Sequence, residues 1–170
     1  IFLNTDNPHI RSQPVGVPSV TYGADDSLGA AYTASDIQAD SRGSTFTVSA
    51  PGGESHRFAT RLLGTHNIQN LTGCIAVAHA LGISLRDLVY PVRMIKPVPH
   101  RLQLLPGGII DDAYNANPVG FRAALDVLSG FVGQRVLITP GMVELGERQI
   151  PLNRELGAYA AGRCDYAILV

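Results

Sequence analysis

Residues Asp111-Asp112-Ala113-Tyr114-Asn115-Ala116-Asn117-Pro118 gather two carboxyls, a phenol and two side-chain amides in one short string. An ionised carboxylate accepts hydrogen bonds from a pair of ribose hydroxyls, and an amide both donates and accepts. The string follows Gly108-Ile109-Ile110, which reads as a buried strand, and precedes Val119 to Leu128, which reads as an amphipathic helix. In open α/β sheets, ligands bind where strands end and helices begin. The same residues also describe a capped turn without chemistry, because Asn117 suits an N-cap and Pro118 the first helical position. Asp111 and Asp112 are adjacent, so on a strand they face opposite sides and do not read as an acid–base pair.

Two further segments carry candidate chemistry. Asn67 and Asn70 of His66-Asn67-Ile68-Gln69-Asn70 lie three apart. In a first helical turn they present amides to one side, matching the donor and acceptor of an adenine edge. Helix capping is the alternative reading. Arg101 follows Lys96-Pro97-Val98-Pro99-His100. A guanidinium fork there suits a phosphate, and a plain surface arginine is the alternative. The histidines His9, His56, His66, His79 and His100 show no metal-ligand spacing, and no G-x-S-x-G elbow occurs.

These residues need elements to position them. Ile1 to Leu3 and Ser19 to Tyr22 read as strands, with the acceptor-rich turn Asn4-Thr5-Asp6-Asn7-Pro8 between them. Thr45 to Val48 and His56 to Leu63 read as strands joined through Pro51-Gly52-Gly53. Asn70 to Leu81 has a helical face at Leu71, Cys74, Ile75, Ala78 and Leu81, stopped by Gly82. Ser84-Leu85-Arg86-Asp87 opens a short helix expected to end before Pro91. Two prolines at 97 and 99 mark the best boundary, dividing the chain into 1–96 and 97–170. Beyond it the order is strand (Leu102 to Leu105 with Ile109 to Asp111), helix (Pro118 to Leu128), strand (Arg135 to Thr139), helix (Pro151 to Gly162), strand (Tyr166 to Val170). That alternation predicts an α/β fold with a parallel, Rossmann-like sheet.

Composition narrows the class. A hydrophobic content of 45% against 16% charged residues describes a packed globular chain. A net charge of −1 with no basic run argues against nucleic acid, and no apolar stretch is long enough for membrane insertion. Cys74 and Cys164 lack a C-x-x-C partner and read as small buried hydrophobes in a reducing compartment. The chain opens on Ile1-Phe2-Leu3 and closes on Tyr166 to Val170, and it reads as an internal segment of a longer enzyme.

The string 111–118 resembles the D-D-[SA]-Y-N-A-N-P signature of the MurF-type Mur ligases. Gly64 to Asn70 resembles that family's G-x-H-N-x-x-N, His100-Arg101 its G/H-R, and Met142-Val143-Glu144-Leu145-Gly146 its M-x-E-L-G. Four motifs in the family's order make a specific signal. The resemblance implies the end of a central ATPase domain (1–96) followed by a partial Rossmann-like C-terminal domain (97–170). It implies a cytoplasmic enzyme of peptidoglycan precursor synthesis. That enzyme uses ATP and Mg²⁺ to join UDP-N-acetylmuramoyl-tripeptide to D-alanyl-D-alanine through an acyl phosphate. It also implies roles: His66, Asn67 and Asn70 at the adenine, Arg101 on the phosphates as the catalytic cation, Asp112 on the ribose, and Tyr114 and Asn115 beside the dipeptide.

The chain departs from the pattern at two places: Gly141 stands where the family often has aspartate, and Asn153 where it often has histidine. The family's phosphate loop, G-x-x-x-x-G-K-[ST], is not found in this sequence, and the resemblance places it and the metal ligands upstream. These residues therefore bear the adenosine side of the reaction and are expected not to catalyse ligation alone. The alternatives are another Mur-superfamily ligase, MurE-like or folylpolyglutamate-synthase-like, and a non-catalytic nucleotide-binding module.

Overall fold

The computed structural model describes all residues except Ser41 and Asn115, and Asp26 by its backbone only. The chain divides into two compact units, Ile1–Lys96 and Pro97–Val170.

In the first unit, five strands form one sheet in sequence order: β1 (Phe2–Asn4), β2 (Val20–Gly23), β3 (Tyr32–Asp40), β4 (Gly43–Ser49) and β5 (Ser55–Thr60). β1, β2 and β3 run parallel, whereas β3, β4 and β5 are antiparallel. Pro51-Gly52-Gly53 reverses the chain tightly, with φ of +86° and +87° at the two glycines, values that suit residues without a Cβ. The acceptor-rich turn after β1 becomes α1 (Pro8–Arg11), capped by Asn7 Oδ1, which accepts from His9 and Ile10 N–H.

Helix α2 (Thr65–Ala80) covers the parallel strands and buries Ile68, Leu71, Thr72, Ile75 and Ala76. These join Phe46, Val48 and Phe58 of the sheet and Leu85, Leu88 and Val92 of α3 (Leu85–Met94) in one core. A polar relay ties the far end of α2 down. Tyr32 OH and His79 Nδ1 are hydrogen-bonded at 2.9 Å, and His79 Nε2 lies 3.1 Å from Glu54 Oε2. Glu54 Oε1 in turn accepts from Leu85 N at 3.2 Å.

Three expectations fail here. Helix α3 does not stop before Pro91 but runs through it to Met94. Its start is fixed by Ser84, which accepts from Asp87 N and donates to its carboxylate, and burial of Leu88 and Val92 on either side of Pro91 offsets the lost backbone bond. Cys74 is exposed, not buried. Leu81 is 78% exposed, because the face in contact with the sheet is centred one residue away, on Ile68, Thr72, Ile75 and Ala76.

The second unit contains β6 (Gln103–Leu105), β7 (Ile109–Asp111), α4 (Pro118–Ser129), β8 (Val136–Thr139), α5 (Gln149–Ala160) and β9 (Tyr166–Leu169). β8 and β9 pair in parallel across α5, as the alternating pattern predicts. β6 and β7 form a separate antiparallel hairpin. Only Pro106, Gly107 and Gly108 join them, far too short a link for a parallel crossover. The Gly108-Ile109-Ile110 run is therefore not a buried strand: Ile109 is 59% exposed. The core of this unit is small, with Leu125, Met142, Leu156 and Ala160 buried together.

Candidate functional site

Helix α2 carries the first candidate segment. Its N-cap is Gly64, with φ of +86° and no side-chain cap bond, so neither Asn67 nor Asn70 caps the helix. Asn67 is half-buried, and its Nδ2 donates to Leu63 O at 2.8 Å, fixing the amide plane against the entry loop. Asn70 is exposed and His66 half-buried. Ile68 between them is 1% exposed and anchors the turn in the core.

Gln69 of this turn and its partner Asp6 are not singled out by the sequence alone. Asp6, after β1, receives three hydrogen bonds on its carboxylate: from Ala24 N (2.7 Å), Asp25 N (3.1 Å) and Gln69 Nε2 (2.8 Å). The approach is close enough that a Cβ on Gly23 would lie 2.6 Å from Asp6 Oδ1. The acceptor-rich composition of 4–8 is the visible signal, and it does not name Gln69 as the partner.

The second segment lies in the other unit. His100 and Leu102 have φ of +62° and +46°, uncommon for residues with a side chain. Cross-links to the 111–114 stretch hold them there. His100 Nδ1 donates to Asp111 Oδ2 at 2.8 Å, Leu102 N donates to Asp112 Oδ1 at 3.0 Å, and Tyr114 N donates to His100 O at 3.1 Å. The bond from His100, then that from Ala113 N, holds the Asp111 carboxyl below the usual carboxylate range. Both aspartates thus bind the 100–102 segment, Asp111 through the His100 ring and Asp112 through the Leu102 backbone. Arg101 is exposed and lies over the Tyr114 ring, its Cζ 4.1 Å from the ring centre. Asn115 lies outside the described residues. Asn117 caps α4, its Oδ1 accepting from Val119 and Gly120 N–H, and Pro118 is the first helical residue. The capping reading of Asn117 therefore holds.

Gly141 and Asn153, the two departures from the expected pattern, prove to be one feature. Asn153 Oδ1 accepts from Met142 N at 2.8 Å, and its Nδ2 donates to Met142 O (2.8 Å) and Gln149 O (2.9 Å). A Cβ at Gly141 would stand 2.8 Å from Asn153 Oδ1, at a φ of +81° that resists side chains. Glycine at 141 is what lets asparagine at 153 hold the loop. Glu144 is exposed, with φ of +61°.

Residues 1–78 match the family model of the Mur ligase middle domain, and residues 100–170 that of the Mur ligase glutamate ligase domain. The chain belongs to the Mur ligase family. A UDP-N-acetylmuramoyl-tripeptide–D-alanyl-D-alanine ligase of Haemophilus influenzae is 38% identical to this Mur ligase chain over 132 residues, covering 75% of the chain and 29% of the relative. A UDP-N-acetylmuramoyl-L-alanyl-D-glutamate–L-lysine ligase of Staphylococcus haemolyticus is 33% identical over 153 residues, covering 87% and 29%. A crystal structure of MurF from Acinetobacter baumannii superposes with a TM-score of 0.80 at 25% identity, covering 98% of this chain and 42% of that one. The chain spans less than a third of the length of the curated relatives it matches.

Mg²⁺ serves the family, but no group of three or more His, Cys, Asp or Glu side chains converges among the described residues. Among the described residues no helix is long and apolar enough to cross a membrane.

Proposed function

We propose that these residues form part of an ATP-dependent ligase that adds D-alanyl-D-alanine to UDP-N-acetylmuramoyl-tripeptide in the cytoplasm. The observation that carries the reading is the Asp111–Pro118 string, together with 38% identity to a relative named for that reaction. In this reading ATP phosphorylates the peptide carboxylate. The free amine of the dipeptide then attacks the acyl carbon, and phosphate leaves.

The side chains suit the handling of ATP. The Asn67 amide, held by Leu63 O, is assigned the adenine edge, and His66 and Asn70 are assigned to the same base. Asp112 is assigned the ribose. Its Oδ1 accepts from Leu102 N, which ties this carboxylate to the 100–102 segment. Arg101 is assigned the phosphates, where a guanidinium stabilises charge that grows during transfer. Tyr114 and Asn115 are assigned the acceptor dipeptide. The phosphate loop of the family is not among these residues, so we propose that turnover needs the longer protein.

Phosphate release by the full-length enzyme is the test, with ATP, Mg²⁺ and UDP-muramoyl-tripeptide present. Release that requires D-alanyl-D-alanine supports the reading. The staphylococcal relative, which matches more of the chain, supplies the second reading. In that case release requires UDP-muramoyl-dipeptide and L-lysine, and the dipeptide is inert. ATP binding with no release under either set favours a non-catalytic module.

A further inference from the structure

We propose that Asp6 and Gln69 form a positioning latch that sets the first turn of α2 for nucleotide binding. The proposal rests on the adenine reading of Asn67 and Asn70 given above.

Ile68, Leu71 and Ile75 press α2 onto the sheet, but apolar burial is non-directional. A helix can slide or roll by a fraction of an ångström over such a surface at little cost in buried area. A hydrogen bond is directional and weakens steeply with distance and angle. Gln69 Nε2 to Asp6 Oδ2, at 2.8 Å, is such a contact. It sits in the same turn as Asn67 and Asn70, within about 3 Å of both along the helix axis at ~1.5 Å per residue.

The acceptor is itself rigid. Its two oxygens are held by Ala24 and Asp25 N–H, just beyond the end of β2, and Asp6 N donates to Asn4 Oδ1 at 2.9 Å. Asp6 therefore references the helix to the carboxyl ends of two parallel strands, β1 and β2. Gly23 is the counterpart that lets the carboxylate come in so close. None of these groups need touch the ligand. Their effect is to hold a binding amide in place, where sub-ångström placement matters.

The test uses the full-length enzyme and three variants. Gln69→Met keeps length and bulk but removes the donor. We expect its ATP KM to rise about fivefold, the worth of one ordinary hydrogen bond, with the dipeptide KM unchanged. Gln69→Lys restores a donor to the carboxylate and should return the ATP KM toward the parent value. Asn67→Ala is the reference for the underlying reading. An unchanged ATP KM in Gln69→Met, beside a raised one in Asn67→Ala, overturns the latch alone. An unchanged ATP KM in Asn67→Ala sinks the adenine reading and the latch with it. A parallel rise in every KM with a lowered melting temperature, not rescued by lysine, also overturns the latch, because it reports general loosening.

Discussion

The 66–70 and 100–114 segments are held by different forces. The first rides on α2, whose buried face packs under a five-stranded sheet, and only its fine placement depends on polar contacts. The second is loop backbone folded on itself, with His100 and Leu102 in left-handed conformations stapled to Asp111, Asp112 and Tyr114. Nearby burial is thin, limited to Leu102 and a small helix–sheet core. Candidate binding residues can thus be positioned either by a core or by a polar network. The two solutions should fail differently under mutation.

The largest effect should come from the core. Ile75→Ala leaves a cavity under α2 and should cost about 2–5 kcal/mol in the first unit, read by urea denaturation. A loss well below that range would mean that α2 rests on polar contacts after all, and the contrast would blur. Next is Asn153→Ala in the second unit. Met142 is 1% exposed, and its N–H would lose its acceptor, costing roughly 1–3 kcal/mol. Asn153→Asp keeps the acceptor but loses both donated bonds, so its cost apportions the two halves of the contact.

Smaller still is the Arg101–Tyr114 stack. A double-mutant cycle with Arg101→Ala and Tyr114→Ala should give a coupling of about 0.5–1 kcal/mol, as for an exposed cation–π pair. Tyr114→Phe should keep it. No coupling would mean that the ring does not hold the guanidinium and that the staples act alone.

The smallest effect concerns Asp111, whose folded carboxyl titrates below its ordinary value because His100 donates to it. A depressed pKa stabilises the ionised folded form. The contribution is therefore fully present above the unfolded carboxylate pKa of about 3.9, and it is lost as pH falls through the lower folded value. The difference between parent and Asp111→Asn should shrink on that acid limb. A difference that persists below it would assign the staple to something other than ionised Asp111.

Much of this was legible in the sequence where local chemistry decides. Pro51-Gly52-Gly53, the Ser84–Asp87 box and Asn117-Pro118 each act within a few residues, and each appears where composition places it. What the sequence hid is what lies opposite. An apolar residue type does not say whether anything covers it, so Cys74 and Ile109 read as buried and are exposed. Pro91 reads as a stop, yet packing on both sides carries the helix through it. The Asp6–Gln69 bond joins residues 63 apart in sequence, and the Gly141–Asn153 fit depends on a single close approach. The roles offered for His66, Asn67, Asn70, Arg101 and Asp112 came from motif resemblance. The structure adds how some of them are oriented: Asn67 by Leu63, Arg101 by Tyr114, Asp112 by Leu102.

The most direct test of the account is the ATP KM of Asp112→Ala beside that of Asn67→Ala, each measured with the dipeptide KM in the full-length enzyme. Loss of a hydrogen bond to a charged group is worth about tenfold or more, and loss of a neutral amide bond less. We predict that both variants raise the ATP KM, Asp112→Ala the more, while the dipeptide KM holds. A raised dipeptide KM with the ATP KM unchanged in either variant would contradict the assignment of that segment to the nucleotide.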